Sequence, residues 1–280
     1  MSANPPLNDA EMLAALDWYR QVGVDIAVGE EPVDRFALSR MAPPRPRSAE
    51  AVLPAAAAPA APPPVVPPAA AAGGDPAEAR ALAASAGSLD ELKALLGAYD
   101  GCGLKARATQ LVFADGNPEA EIMLVGEAPG AEEDRQGKPF VGRSGQLLDR
   151  MLNAIGLDRT SVYIANTVPW RPPGNRTPTP EEIALCLPFL TRQMELVSPK
   201  ILVTLGGPAM QTMFKTTAGI LKSRGQWRDL TVGSLDVKAI ATLHPAYLLR
   251  QPLQKHQAWR DMLAIKAMMA ELDISVRSTV

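Results

Sequence analysis

Four short runs constrain the fold of this chain more than any other feature: Ile122-Met-Leu-Val125, Val162-Tyr-Ile-Ala165, Ile201-Leu-Val-Thr-Leu205 and Lys238-Ala-Ile-Ala-Thr-Leu243. Each is short, mostly apolar and bounded by turn residues, the pattern of a buried strand. Between them lie segments of helical periodicity. Strands alternating with helices predict an α/β fold: three layers, α/β/α, around a central, mainly parallel, four-stranded sheet. In such a sheet the loops at the carboxyl ends of the strands are where ligands sit.

The loop after the first run is the longest and the richest in chemistry. Residues 126–142 mix glycines, acids and bases and carry an aromatic residue, Phe140. They lead into Leu147, Leu148, Met151, Leu152 and Ile155, which share one helical face, with Ser144 as the expected N-cap and Gly156 as the stop. Thr179-Pro-Glu-Glu182 is a capping box with proline at the first helical position and opens a helix to about Val197. Gly206-Gly207 turns the third strand into another helix, and a last helix is expected over about 257–272. Upstream, Asp75-Pro76 and Ser88-Leu-Asp-Glu91 mark the starts of two short helices.

The domain plan follows from composition. Residues 1–41 form an N-terminal segment with one expected amphipathic helix over 9–22, which either docks on the main domain or hooks a partner protein. Residues 42–76 hold 11 Pro and 13 Ala in 35 positions, with no charge from Ala51 to Gly74. Proline cannot sustain a helix there and alanine cannot build a core, so the segment is expected to be a disordered, semi-stiff linker. Residues 77–275 are the expected globular domain. Net charge is −4 over 1–89 and +3 over 90–266, a balance that neither demands nor excludes nucleic acid. No apolar run approaches the ~20 residues of a membrane span. The N-terminus lacks the basic-then-apolar pattern of a secretory signal, and two cysteines make no disulfide framework. A cytoplasmic location and a monomer are expected.

Three segments, in order, resemble the motifs of the uracil-DNA glycosylase superfamily in its type 4 form. They are Gly126-Glu-Ala-Pro-Gly130 continuing through Glu133-Asp to Gly137-Lys-Pro-Phe-Val-Gly-Arg143, then Asn166-Thr-Val-Pro-Trp-Arg-Pro-Pro-Gly-Asn-Arg176, and His244-Pro-Ala-Tyr-Leu-Leu-Arg250. The resemblance spans roughly residues 95–265. It implies a monofunctional glycosylase that hydrolyses the N-glycosidic bond of a flipped-out deoxyuridine, with uracil-containing DNA as partner.

The resemblance also assigns roles. Glu127 becomes the carboxylate on the sugar side, where positive charge develops; by position alone it reads as a loop carboxylate held by backbone N–H groups. Glu133 is the rival acid, and spacing does not divide the labour between them. His244 becomes the donor to the leaving base, as a neutral imidazole. Asn166 reads the O4 and N3–H edge of uracil, and Phe140 gives the face on which the base stacks, with Gly126 and Ala128 beside it. Arg143, Ser144 and Gly145 lie at a helix start suited to phosphate, and Arg171, Arg176 and Arg250 are expected along the same rim. Leu248 or Leu249 is the expected wedge that fills the space left by the base.

The chain departs from its family in one place. Type 4 enzymes hold a [4Fe-4S] cluster on four cysteines. Here Cys102 and Cys186 match the second and fourth positions, while Tyr99 and Trp170 occupy the first and third. No cofactor is therefore expected, and the two aromatic residues are expected to plug the space. A covalently trapping relative carries a His-containing insert near the second motif; this chain has Arg171-Pro-Pro-Gly-Asn-Arg176 there, with no His, so turnover is expected. The alternative is a catalytically silent DNA-binding or adaptor module on the same fold, and a possible protein partner would engage residues 1–74. Because every matched motif lies beyond the linker, a chain beginning at residue 75 is expected to keep the full rate of uracil release. A folded but inactive truncation would contradict this.

Overall fold

The computed structural model describes residues 73–274. The expected helix over 9–22 and nearly all of the Pro/Ala-rich segment lie outside the described residues. Strands β1 (Asp115–Gly116), β2 (Ile122–Gly126), β3 (Tyr163–Asn166), β4 (Ile201–Leu205), β5 (Arg228–Val232) and β6 (Leu235–Thr242) form one sheet in the order β1-β3-β2-β4-β6-β5. The four expected strands are its centre and are all parallel. Two further strands flank them antiparallel: β1 pairs with β3, and β5 forms a hairpin with β6. The six-stranded sheet thus extends the expected four.

Alternate residues of the strands face opposite layers, as the period of two requires. Ile122, Leu124, Val203 and Ile240 pack against Leu148 and Leu152 of α4 (Arg143–Asn153) and Met262, Ile265 and Met269 of α9 (Lys255–Glu271). Met123, Val125, Leu202 and Ala239 pack on the other face against Leu190, Met194 and Val197 of α5 (Pro180–Val197) and Met213 of α6 (Gly207–Phe214). These are the three expected layers. Helices α1 (Pro76–Ala84) and α2 (Leu89–Ala98) lie outside α5 and share a separate apolar cluster with it, while the short α3 (Ala131–Gln136) lies in the loop after β2 and α7 (Ile220–Ser223) precedes β5.

The helix starts follow local chemistry. Asp75 caps α1 by accepting from the Ala77 amide at 2.8 Å, Ser88 caps α2, and Thr179 and Glu182 cap α5 reciprocally. One expectation is corrected. Helix α4 begins at Arg143 with Gly142 at its N-cap, so Ser144 sits in the first turn and caps nothing. The cause is Glu133, whose carboxylate accepts the amides of Val141 and Gly142 at 3.0 Å each and so ends the loop sooner. No helix among the described residues is long and apolar enough to cross a membrane.

The parallel strands run 2-1-3-4 in space. The chain goes from β2 to its neighbour β3, then returns past β2 to β4. The switch point therefore lies between β2 and β4, where an open α/β sheet parts its loops to form a crevice at the carboxyl edge.

Candidate active site

A cavity of about 690 Å³ opens at that edge. Each of the four parallel strands sends a residue into or under it: Gly126 and Glu127 from β2, Asn166 from β3, Gly206 after β4 and His244 after β6. Glu133, Phe140, Ser144, Arg176 and Arg250 complete its wall with Ala128 and Tyr247. The three motifs, separated by up to some hundred residues of chain, thus converge as expected.

Gly126 and Asn166 are register partners at the ends of β2 and β3. Pairing continues past the strands, since Thr167 and Val168 donate their amides to the carbonyls of Gly126 and Glu127. This holds Glu127 and Asn166 side by side. A Cβ on Gly126 would meet the Asn166 amide oxygen and come within 2.7 Å of the Phe140 ring, so only glycine lets both side chains close over the strand end. Asn166 is buried, and its Oδ1 has no hydrogen-bond partner. An orphaned acceptor of this kind costs free energy unless a donor arrives.

The two acids separate cleanly. Glu133 is 8% exposed, and both its oxygens are taken: Oε2 accepts from the Gly130 amide at 3.1 Å, Oε1 from Val141 and Gly142. It is the backbone-held carboxylate, the alternative first considered for Glu127. Glu127 is only partly buried and faces the cavity. Burial raises its pKa above the ordinary 4.5, with the Thr177 hydroxyl partly offsetting this.

His244 is the N-cap of α8 (Pro245–Arg250), and its Nδ1 accepts from the Ala246 amide at 3.1 Å. A backbone N–H only donates, so Nδ1 carries a lone pair and the proton of the neutral ring sits on Nε2. Desolvation, reinforced by the Arg250 charge and opposed by Glu133, holds the imidazole pKa down at about 4. The positive end of α8 acts in the same direction. The ring is thus a neutral Nε2–H donor at physiological pH. The Phe140 ring lies 5.5 Å from it, centroid to centroid, tilted by 32°.

Other expected contacts are redistributed. Leu248 is 1% exposed and packs with Leu243 and Ala258 against Leu147 and Met151, whereas Leu249 is 38% exposed. Leu248 is therefore core, and its expected DNA contact is corrected. Arg176 forks onto Glu182 at 2.6 and 2.8 Å, and Arg171 donates to Asn175 at 2.8 Å, so both guanidinium groups are engaged within the protein. Arg143 is exposed in the first turn of α4, and Gly145 is buried beneath Phe140. Gly206, Tyr247 and the side chains of Ile220 and Leu221 also line the cavity. Sequence reasoning missed them, reading Gly206-Gly207 only as a turn.

Tyr99, Cys102, Trp170 and Cys186 meet in one buried cluster, although they come from three separate parts of the chain. The two sulfurs are 3.7 Å apart, and the Tyr99 ring lies 5.3 Å from that of Phe189. Contact with the Cys102 thiol and burial push the Cys186 thiol upward. Burial likewise raises the Tyr99 phenol and keeps it neutral. A four-iron cluster needs four thiolates; two thiols, a phenol and an indole do not fit it. Among the described residues no group of three or more His, Cys, Asp or Glu side chains could hold a metal ion.

The mainly parallel sheet, covered on both faces, and the cavity at its carboxyl edge where the three motifs meet define an α/β protein with one edge site. The family model of the uracil DNA glycosylase superfamily matches residues 113–263. A type-4 uracil-DNA glycosylase of Archaeoglobus fulgidus is 41% identical over 184 residues, covering 64% of this chain and 92% of that protein. One from Thermotoga maritima is 46% identical over 150 residues, covering 53% and 77%. A type-5 uracil-DNA glycosylase of Pyrobaculum aerophilum is 33% identical over 152 residues, covering 48% and 64%. The chain belongs to the uracil-DNA glycosylase superfamily.

The packing of the two leucines yields a direct test. Leu248→Ala is expected to destabilise the fold by about 2–5 kcal/mol, the usual result of emptying a core leucine site. Leu249→Ala is expected to leave the melting temperature within a degree or so while weakening uracil release from duplex DNA. Thermal unfolding and duplex assays on both variants check this, and the reverse pattern would contradict it.

Proposed function

We propose that this chain is a monofunctional uracil-DNA glycosylase that initiates base-excision repair, working as a monomer on deoxyuridine flipped out of DNA. The observation that carries the proposal is the buried, unpartnered Oδ1 of Asn166 in the same cavity as a neutral histidine donor. An acceptor and donor on one amide match the N3–H and O4 of uracil. Cytosine presents the opposite pattern and would leave both groups opposed.

Bond cleavage separates charge. The sugar becomes cationic at C1′ and the departing uracil becomes an anion. Glu127, the free carboxylate of the cavity, stabilises the cation or orients the attacking water. His244 donates Nε2–H to uracil O2 and stabilises the anion without a full proton transfer. Phe140 supplies the stacking face, worth about 1–3 kcal/mol toward the cost of flipping. Glu133 acts by holding the loop in shape. Leu249 fills the gap in the duplex, and the first-turn amides of α4 with Arg250 and Arg143 meet phosphates.

The deciding experiment measures free uracil released from U:G, U:A and single-stranded oligonucleotides under single-turnover conditions. Glu127→Gln and His244→Ala are each expected to slow release ~10²–10³-fold with little change in DNA affinity. Absence of release by the wild-type chain would favour the silent DNA-binding module.

The pKa shifts also fix the pH profile. His244 titrates near 4 instead of 6.5, so its active neutral form persists well below neutrality. The rate is expected to stay flat from pH 8 through 6.5, then to fall on an acid limb set first by Glu127, whose pKa is raised. Stability follows the same sign. The contribution of the buried neutral ring is complete above 6.5 and is lost as pH falls toward 4, because the unfolded chain takes up the proton first. An acid limb near pH 6.5 that persists in Glu127→Gln would contradict the assignment of His244.

We further propose that the protein works without an iron–sulfur cluster, Tyr99 and Trp170 filling the space against the two cysteines. Protein purified without oxygen is expected to contain well under one iron and one acid-labile sulfide per chain. About four irons per chain would overturn the proposal.

A further inference from the structure

Phe140 holds a backbone conformation that its residue type resists. Its φ is 53°, in the left-handed region that costs a bulky non-glycine residue of order 1–3 kcal/mol unless the surroundings impose it. Two neighbours impose it. Gly145 has no Cβ, and one there would collide with the Phe140 carbonyl. On the other side the Arg159 guanidinium donates to that same carbonyl through Nη2 and to the Pro139 carbonyl through Nη1 at 3.2 Å.

Arg159 is itself anchored. Its Nη1 reaches Asp115 of β1 at 2.7 Å, and its Nε reaches Asp149 of α4 at 2.8 Å. The planar fork therefore ties the edge strand and the helix to two consecutive carbonyls of the loop. A lysine could keep one charge contact but not four directed bonds at once. Arg159 lies in the turn before β3, outside all three motifs and outside the cavity wall.

We infer that Arg159 is a positioning residue that sets the height and tilt of the Phe140 ring over the base pocket. The inference rests on the proposed role of Phe140 as the stacking face. Arg159 does not line the cavity; it acts by holding the left-handed turn that turns the ring toward His244. Loss of the fork lets the turn relax to φ < 0 and withdraws the ring.

A double-mutant cycle tests this, with free uracil as the probe. The inhibition constant for uracil, the single-turnover release rate and the affinity for uracil-free duplex are measured for Arg159→Lys, Phe140→Leu and the pair. Arg159→Lys is expected to raise the uracil inhibition constant roughly 5-fold and to slow release similarly, given the size of a base-stacking contribution. Affinity for uracil-free duplex should not change. The double variant should be no worse than Phe140→Leu alone, because Arg159 acts only through that ring. Asp115→Asn, which keeps the arginine but loosens one anchor, should shift the same constants in the same direction by less and serves if Arg159→Lys does not fold. Additive losses in the double variant, or unchanged uracil inhibition in folded Arg159→Lys and Asp115→Asn, would overturn the inference while leaving the glycosylase proposal intact. No effect of Phe140→Leu on release or inhibition would overturn the stacking role and the inference together.

Discussion

The carboxylate of Glu133 is the interaction on which the rest of the site depends. One side chain accepts three backbone amides from both arms of the same loop, Gly130 on one side and Val141 and Gly142 on the other. Closing the loop on itself fixes three things together. Helix α4 starts at Arg143, Phe140 is pinned between that start and Arg159, and Glu127 faces the cavity with the Thr177 hydroxyl as its partner. Charge-assisted bonds of this kind are stronger than neutral ones, and burial strengthens them further. A backbone-bonded carboxylate at Glu133 and a cavity-facing one at Glu127, met only by the Thr177 hydroxyl, are two parts of one arrangement. The first gives the loop rigidity so that the second is available for chemistry.

The sheet supplies the other half. Because β2 and β3 remain in register to Gly126 and Asn166, the Asn166 amide sits beside the Glu127 loop with no flexible connection. His244 arrives by a different device. Its own helix fixes the ring by donating an amide to Nδ1, which leaves a single tautomer facing the cavity. Desolvation, with the Arg250 charge, opposes protonation of the ring. The site therefore presents a donor of fixed position whose charge state does not change near neutral pH. That is the property a departing uracil anion requires, since preorganised dipoles act without reorganisation cost.

Much of this was legible in the chain. The four central strands are apolar runs buried on both faces, and such runs announce themselves. The capping signals at Asp75, Ser88 and Thr179 also work as written, because a cap is local chemistry. The edge strands were not legible. β1 is two residues long, and Arg228–Val232 is a half-exposed strand whose pairing depends on a turn at Gly233-Ser234. Ser144 carries a good cap side chain, yet the carboxylate of Glu133, eleven residues upstream, decides where α4 begins. Leu248 and Leu249 differ by one step of a six-residue helix, and only packing against Leu147 and Met151 tells the buried leucine from the exposed one. Arg159 carried no signal at all, since its partners are 10 to 44 residues away. In each miss a tertiary contact settled what local pattern left open.

The central claim is that His244 serves as a neutral Nε2–H donor. Nitrogen-15 NMR of histidine-labelled protein reads this directly, and with 2 histidines in the chain the spectrum is readily assigned. At pH 7, and still at pH 6, one ring is predicted to show a protonated Nε2 and an unprotonated, hydrogen-bonded Nδ1, and this pattern should vanish in His244→Gln. A His244 ring protonated on both nitrogens at pH 6, or carrying its proton on Nδ1, would contradict the account.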